Sequence, residues 1–237
     1  MYQPCVLSKG PLALREASLS VTGVSWRAPP EYDALVAPIW EERVAAAAAR
    51  AHHLWDGRHY RLTDIGDLAR GGTLRLGTID YRYIVTVRAL HEEHRRPGLD
   101  PPHHISTAAL LLTADGHYAF GKRQINGAID FIGGGLQPEE GVVPNLAHNV
   151  AKEIHEETGI APAALGALRG LGVVMSTTSN VLVIAHQETA LTADGVRAVF
   201  ARREDDEMAE LVFVPSAGIA DYLRGMTDYR PFVAQLL

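Results

Sequence analysis

The feature that most constrains the fold is a run of three glycines at 133–135, followed by a helical segment at 144–158. Pro144 near the start of that segment and Gly159 just after its end are residues that helix termini prefer. An apolar stripe along one side of the segment can pack on a sheet, and it consists of Leu146, Val150 and Ile154. The sequence therefore predicts a glycine-rich loop whose backbone closely approaches an amphipathic helix.

Three glutamates share another side of this helix. Glu153, Glu156 and Glu157 stand at positions i, i+3 and i+4, so they span an arc of roughly 100° around the helix. Carboxylates this close repel one another unless a positive charge lies between them. A hard divalent cation would relieve that repulsion, and a glycine carbonyl of the loop can add another oxygen ligand. The alternative is a solvated acidic helix face.

The combined stretch resembles the signature of the Nudix hydrolases, G-x5-E-x7-R-E-U-x-E-E-x-G-U, in which U is aliphatic. Gly134 and Glu140 match its first two fixed positions. The second half of the signature is matched by Glu153, Ile154, Glu156, Glu157, Gly159 and Ile160. There are two departures: Lys152 replaces the arginine, and eleven residues rather than seven separate it from Glu140. The additional residues lengthen the loop before the helix and leave the glutamate face intact.

The resemblance implies a fold and a chemistry. The fold is α+β, with a mixed sheet in an α/β/α sandwich. The chemistry is hydrolysis of a nucleoside diphosphate linked to another moiety, with Mg²⁺ or Mn²⁺ as the cofactor. The metal ligands are expected to be Glu153 and Glu157 first and Glu156 next, with a carbonyl near Gly133 assisting. One of these glutamates, or another outside the motif, is expected to take part in activating water. Lys152 is expected to support the catalytic glutamates electrostatically, and the alternative is an ordinary surface lysine.

The rest of the sequence predicts the elements around this motif. Helices are expected at 31–51, 216–224 and 230–237, and strands at 73–87, 168–176, 180–187 and 211–215. Residues 105–123 predict two strands joined by a tight turn. Because the order lacks a regular βαβ rhythm, it favours an α+β fold. The polar, proline-rich stretch 91–104 predicts a boundary between an N-terminal α/β region, 1–104, packing on the core, and a Nudix hydrolase domain, 105–237.

The N-terminal half gives a hint about the substrate. The segments IWEERV, HYRLTDI and LRLGTIDYRY, at 39–44, 59–65 and 74–83, precede the motif. Their order is similar to that in the uridine diphosphate glucose pyrophosphatase branch of the family. That similarity implies cleavage of UDP-glucose or UDP-galactose to UMP and the sugar 1-phosphate.

Candidate substrate-binding residues follow from the chemistry of such a ligand. A nucleotide-sugar site needs an aromatic or apolar slot for the base and cations for the diphosphate. Tyr81, Arg82 and Tyr83 are candidates for the nucleotide side, and the alternative is ordinary alternation on a half-exposed strand. Arg123 ends a strand just before the glycine loop, where its guanidinium could reach a phosphate oxygen. Its alternative is a solvated hairpin arginine.

An acidic run at 204–210 precedes a late strand. Many Nudix enzymes place an additional metal-binding or base glutamate in this general region. The resemblance therefore makes Glu207 or Glu210 the candidate for that role. The alternative for the run as a whole is a solvated loop.

Composition narrows the class of partner. The chain has 237 residues with a formal net charge of −6, and residues 101–237 carry 9 Lys and Arg against 16 Asp and Glu. That negative balance argues against duplex nucleic acid, although a bound metal can offset the charge of a small phosphorylated ligand. The one cysteine, Cys5, excludes an intramolecular disulfide and a cysteine-based zinc site. We expect a cytoplasmic protein, because no apolar run of about 20 residues and no secretory signal is evident.

Other functions stay open at this point. The same chemistry can act on ADP-ribose, a dinucleotide or another nucleoside diphosphate derivative. A different class of function is a nucleotide-binding sensor that cleaves nothing, although a pure binder has no need of all three glutamates. The family also makes a homodimer an expectation.

Overall fold

The computed structural model describes residues 3–49, 53–70, 73–92, 102–203 and 207–237. Its strands are β1 (Cys5–Leu12), β2 (Leu19–Ser25), β3 (Arg58–Leu62), β4 (Leu74–Asp80), β5 (Ile105–Leu112), β6 (His117–Arg123), β7 (Ile129–Asp130), β8 (Leu165–Met175), β9 (Val181–Thr189) and β10 (Met208–Pro215). Its helices are α1 (Pro30–Ala48), α2 (Gly66–Arg70), α3 (Tyr81–Glu92), α4 (Leu146–Thr158), α5 (Ala193–Phe200), α6 (Ile219–Arg224) and α7 (Arg230–Val233). Short 3₁₀ turns lie at Pro162–Ala164 and Ser216–Gly218.

The larger sheet is mixed and lies between two layers of helices. Its strand order is β1-β8-β9-β5-β6-β10, with β7 paired to β6. Strands β5 and β9 are parallel, and the other pairs are antiparallel. Alternate residues of β5 face opposite sides, because side chains alternate along a strand. Ala109 and Leu111 join the apolar cluster of α4 and α5, whereas Ala108 and Leu110 join that of α6 and α7. The expected α+β fold with a mixed sheet between helices is confirmed.

A smaller sheet, with strand order β2-β4-β3, forms in the N-terminal part of the chain. Helices α1 and α3 pack together beside it around Tyr32, Val36, Ile39, Ala89 and Leu90. Strand β1 lies apart from this sheet, because it pairs with β8 at the edge of the larger one. The edge of β3 meets the segments flanking the glycine loop: Tyr60 N–H donates to Leu136 O at 2.7 Å, and Leu62 N–H donates to His103 O at 3.0 Å. The small sheet is therefore fixed directly against the loop.

The expected strand at 73–87 is correct only in its first half. Residues 74–80 form β4, but 81–87 belong to helix α3. The first helical N–H groups find partners in the preceding loop, since Tyr81 N–H donates to Gly57 O at 2.9 Å and Arg82 N–H donates to Asp56 Oδ1 at 2.8 Å. The β-branched run in this segment suggests a strand, but packing against α1 determines its conformation instead.

Most of the other predicted elements are present with small differences at their ends, namely the hairpin at 105–123, the helix at 144–158, and the strands at 168–176, 180–187 and 211–215. The helix expected at 31–51 is observed as Pro30–Ala48, and residues 50 and 51 lie outside the described residues. The helix expected at 216–224 begins only at Ile219, after a 3₁₀ turn, and the one expected at 230–237 ends at Val233. Strands β1 to β3 and helices α2 and α5 were not predicted. Residues 93–101 of the expected boundary lie outside the described residues, so the division into 1–104 and 105–237 stays a prediction. None of the helices in the described ranges has the length and apolar character that a membrane crossing requires.

Candidate active site

Helix α4 is fixed at both ends, which determines where its glutamates point. The Asn145 side chain caps its start, since Oδ1 accepts from His148 N–H at 2.9 Å. Gly159 ends it in the left-handed conformation, with φ at 75°. Within the helix, Asn149 Nδ2 donates to Thr107 Oγ1 on β5 at 2.8 Å and lies 3.4 Å from Gly134 O. One side chain therefore ties α4 to both the sheet and the glycine loop.

The backbone of the glycine loop lies directly against two glutamate carboxylates. Gly133 N–H donates to Glu157 Oε2 at 2.8 Å. A Cβ added to Gly134 would lie 2.2 Å from Glu153 Oε2, which is closer than real Cβ atoms come. A Cβ added to Gly133 would lie 2.2 Å from the Thr107 carbonyl oxygen. The loop can approach α4 and β5 this closely only because these residues have no side chain.

Substituting Gly134 with Ala is therefore expected to lower activity more than stability. The φ angle of Gly134 is not positive, so its backbone conformation suits alanine, and the new methyl group would displace the far end of the Glu153 side chain. A misplacement of this kind costs about 10- to 100-fold in turnover. Turnover and melting temperature measured together test this. Gly218→Ala is the control, because an added Cβ there meets no atom within 4 Å. Equal turnover in both variants would contradict the expectation.

The two carboxylates are buried, and burial dominates their protonation. The pKa of Glu153 is raised to about 7, chiefly by burial and further by the charges of Glu156 and Glu207, against the opposing charges of Lys152 and Arg123. Burial likewise raises the pKa of Glu157 well above its usual value, and Glu207 adds to that increase. Arg123 and the Gly133 N–H oppose it. Both groups therefore lie where a further positive charge would strongly favour the ionised form.

Lys152 supplies part of that positive charge. Its Nζ lies 3.7 Å from Glu156 Oε2 and 3.8 Å from Glu153 Oε1. It also lies 4.0 Å from Glu139 Oε1, so Glu139 rather than Glu140 connects the lengthened loop to the helix. Glu156 is about half exposed, whereas Glu153 is mostly buried. Lys152 thus bridges the loop and two glutamates.

The oxygen atoms beside the loop fit a metal ion whose remaining ligands are water molecules or substrate oxygens. Within the described ranges, no three His, Cys, Asp or Glu side chains converge closely enough to hold an ion on their own. The Glu153 and Glu157 carboxylates lie against the loop and supply oxygen donors there. Mg²⁺ is usually bound by one or two carboxylates together with waters and substrate phosphates. The residues present therefore fit Mg²⁺ or a similar hard cation.

Arg123 and Glu207 lie beside the same two carboxylates. Arg123 Nη1 donates to Glu207 Oε1, and both residues affect the pKa of Glu157. On its other side, Arg123 Nε lies 4.0 Å from Asp130 Oδ2. Glu210 instead pairs with Lys122, at 2.9 Å between Nζ and Oε1. Of the two candidate glutamates, the structure therefore brings only Glu207 to the site, while residues 204–206 lie outside the described residues.

The three residues expected on the nucleotide side point in different directions. The Tyr81 ring stacks on His59, with 5.1 Å between ring centroids. The Arg82 Nε forms an ion pair with Asp56 Oδ2 at 2.7 Å. The Tyr83 hydroxyl donates to Asp33 Oδ1 at 2.9 Å, within the packing of α1 and α3. Only Tyr81 is brought towards the glycine loop.

Two buried histidines beside the loop were not expected. A Cβ added to Gly135 would lie 2.5 Å from His59 Nδ1 and 2.7 Å from His104 Nε2. The two rings meet edge to face, at 5.2 Å between centroids. Burial, together with the positive charges of Arg88 and Lys152, lowers the pKa of His59 to about 4. The sequence contains many histidines, but nothing in their spacing indicates that these two meet.

Replacing His59 with Asn is expected to change how stability depends on pH. Unfolded His59 takes up a proton near pH 6.5 and folded His59 only near pH 4, so acidification between these values favours the unfolded state. Its contribution to the free energy of unfolding is thus present above pH 6.5 and is lost as pH falls through about 4, by up to about 3 kcal/mol. The stability of the variant relative to wild type should therefore improve on acidification.

Chemical denaturation of wild type and His59→Asn across this pH range tests the expectation. His148→Asn, which changes an exposed histidine on α4, is the control. A stability difference between wild type and His59→Asn that does not change with pH would contradict a buried neutral imidazole. The pH dependence of stability that Glu153 contributes, which has the opposite sign, is the same in both proteins. It therefore cancels in the difference between their free energies of unfolding.

Comparisons with known proteins give resemblances in fold at low identity. No protein-family model and no curated protein matches the sequence. Among solved structures, the MutT protein from Methanosarcina mazei is 22% identical, with a TM-score of 0.41 over 59% of this chain and 93% of that one. A Nudix family hydrolase from Clostridium perfringens is 11% identical, with a TM-score of 0.38 over 57% and 97%. An Ap4A hydrolase from C. elegans is 9% identical, with a TM-score of 0.38 over 50% and 83%. The assignment of a function therefore depends on the geometry of the site.

Proposed function

We propose that this chain is a Nudix hydrolase that cleaves a phosphoanhydride bond of a nucleoside diphosphate derivative with the help of a divalent cation. The observation that carries the proposal is the pair of buried carboxylates, Glu153 and Glu157, held against the glycine loop. Two buried carboxylates so close together are unfavourable without a cation. A metal ion bound between the two carboxylates would offset the free-energy cost of burying them.

Each residue of the site has a proposed role. Glu153 and Glu157, with the Gly133 carbonyl, would hold Mg²⁺ or Mn²⁺, and Glu156 is the next candidate ligand. When bound, the cation supplies charge neutralisation at phosphoryl oxygens and lowers the pKa of a water molecule. Glu207 is the proposed proton acceptor. We favour it over Glu210 because its charge acts on Glu153 and Glu157, whereas Glu210 pairs with Lys122.

The basic residues have supporting roles in the proposal. Lys152 keeps Glu153 and Glu156 oriented and ionised through its ion pairs. Arg123 is the proposed contact to a phosphate oxygen, since its guanidinium lies beside Glu207 and reaches the neighbourhood of Glu157. An arginine suits this task because its planar fork matches the geometry of a phosphate.

For the substrate we propose a UDP-sugar, namely UDP-glucose or UDP-galactose, hydrolysed to UMP and the sugar 1-phosphate. The support is the order of the three N-terminal segments in the sequence. A second support is that the small sheet of the N-terminal part lies against the glycine loop, where it can complete a pocket for the rest of the substrate.

A substrate panel tests this proposal. The protein is incubated with Mg²⁺ and UDP-glucose, UDP-galactose, ADP-ribose, GDP-mannose or NADH, followed by phosphatase and detection of inorganic phosphate. Turnover confined to the UDP-sugars would support the proposed substrate. Turnover of ADP-ribose or NADH instead would overturn the substrate and leave the reaction type standing. Nucleotide binding with no turnover of any compound would favour a sensor.

A further inference from the structure

Trp55 is unusually exposed for its residue type. It is 63% accessible to solvent, although tryptophan normally buries most of its ring in a folded protein. The other two tryptophans behave as expected, because Trp26 packs on Tyr32 and Tyr83, and Trp40 meets the Tyr81 ring edge to face. An exposed indole is a surface on which a flat aromatic ligand can stack.

The position of the Trp55 ring is fixed by the loop that carries it. A Cβ added to Gly57 would lie 2.0 Å from Cζ3 of the indole, so one edge of the ring lies directly on the glycine backbone. The loop itself is held by Asp56, whose carboxylate accepts from Arg82 N–H at 2.8 Å and pairs with Arg82 Nε at 2.7 Å. The indole is therefore both exposed and held in place, as a stacking surface needs to be.

The Trp55 ring shares a face of the small sheet with the histidines beside the glycine loop. Gly57 immediately precedes β3, and its carbonyl accepts from Tyr81 N–H at 2.9 Å, which continues the pairing of β3 with β4 by one residue. Side chains alternate along a strand, so Gly57 and His59, two residues apart, face the same side of the sheet. Trp55 covers that side of Gly57, and His59 projects from the same side about 7 Å further along the strand. His59 in turn touches Gly135. A nucleoside diphosphate can span from the indole to the loop.

Arg88 supplies a positive charge on the same side. Its Nη1 donates to the Tyr81 hydroxyl at 3.4 Å, and its guanidinium lies 5.9 Å from the centre of that ring. It is half-buried, and its charge lowers the pKa of both His59 and His104, which places it close to the histidine pair. Across the described part of the chain, no carboxylate forms an ion pair with Arg88. A half-buried guanidinium without a counter-ion favours an anion, and it matches phosphate well.

We propose that Trp55 and Arg88 form the nucleotide subsite of this protein, with the nucleobase stacked on the indole and the adjoining phosphate bound by the guanidinium. The bond to be cleaved then lies towards Gly133–Gly135 and Glu153. This inference rests on the proposed function and names the residues that bind its substrate. It replaces Arg82 and Tyr83, whose polar groups are already bound to Asp56 and Asp33.

Nucleotide binding tests the subsite without requiring turnover. UMP is titrated into the wild-type protein, and tryptophan emission and binding heat are recorded. We expect UMP to quench the emission. Trp55→Leu should remove the quenching and weaken binding about tenfold or more, because stacking on an aromatic ring is lost. Trp55→Phe keeps an aromatic ring and should bind nearly as well as wild type. AMP should bind through the same residue, since stacking tolerates different bases.

Arginine variants separate the phosphate contact from the stacking contact. Arg88→Met should weaken UMP about tenfold or more and leave uridine, which has no phosphate, within about twofold. Arg58→Met is the matched control, because Arg58 lies between Gly57 and His59 on β3 and is mostly exposed on the opposite face. It should bind UMP as the wild type does. In turnover of UDP-glucose, Trp55→Leu should raise KM with little change in kcat.

The outcomes distinguish this inference from the proposed function. Binding of UMP that is equal in wild type, Trp55→Leu and Arg88→Met would overturn the subsite, and so would failure of the wild type to bind any nucleotide. Hydrolysis of UDP-glucose with either result would leave the proposed reaction standing. Nucleotide binding that depends on Trp55 and Arg88 without any hydrolysis would support the subsite and overturn the proposed catalysis.

Discussion

Replacing Glu157 with Gln is expected to abolish turnover while the protein keeps or gains stability. The amide is almost isosteric with the carboxylate and can still accept the hydrogen bond from Gly133 N–H. It cannot supply the negative charge that a metal ligand needs, so turnover should fall about 100-fold or more. Stability should not fall, because the neutral amide removes the cost of burying an ionisable carboxyl group beside Glu153 and Glu207. Loss of activity together with a constant or higher melting temperature separates a functional role from a structural one.

The measurement combines initial rates with thermal unfolding in the absence of metal. Glu188→Gln is the control, since Glu188 is exposed on β9 away from α4. It should change neither quantity. A Glu157→Gln variant that turns over like wild type would remove this residue from the site. A variant that unfolds at a much lower temperature would instead make the carboxylate structural.

Metal affinity is expected to depend steeply on pH around neutrality. The pKa of Glu153 is raised to about 7, chiefly by burial, so much of this carboxyl group is protonated in the metal-free protein at neutral pH. A metal must displace that proton, and below pH 7 its apparent affinity should therefore fall by up to about tenfold per pH unit. Glu157, whose pKa burial raises well above its usual value, should add to the same dependence.

Binding of Mn²⁺, followed by electron paramagnetic resonance between about pH 6 and pH 8, tests this dependence. Affinity should rise with pH, and protons should be released on binding. Glu153→Gln should bind Mn²⁺ more weakly and with a flatter pH profile. Equal affinity at both ends of the range in wild type would show that no carboxyl group with a raised pKa takes part in binding.

The parts of the site that depend on local sequence could be predicted well. Helical spacing alone places Glu153, Glu156 and Glu157 on one side of α4, and the glycines alone allow the loop to approach them. The spacing does not predict how far each glutamate is exposed to solvent. Glu153 and Glu157 are buried and Glu156 is half exposed, because the loop covers only part of the helix face. The contact of Glu139, rather than Glu140, with Lys152 also depends on how the lengthened loop folds.

The parts that depend on tertiary packing could not be predicted. Tyr81 to Tyr83 have strand-like neighbours, yet they begin a helix whose first N–H groups are bound by the loop at 56–57. His59 and His104 come from distant parts of the chain and meet only because β3 lies against the segments flanking the glycine loop. Trp55 has no local signal that separates it from a core tryptophan. The positions of Tyr81 to Tyr83, His59 and His104 are each defined by a partner that is remote in sequence, and the loop that carries Trp55 is held by the remote Arg82.

The most direct test of the central claim is to identify the bond that is cleaved. UDP-glucose is incubated with the protein and Mg²⁺ and followed by ³¹P NMR, with Glu157→Gln in parallel. We expect the diphosphate signals to be replaced by those of two phosphomonoesters, UMP and glucose 1-phosphate, in the wild type alone. Release of UDP and free glucose would mean cleavage of the glycosidic bond and would contradict the proposed chemistry. Unchanged substrate in both samples would contradict hydrolysis of this UDP-sugar.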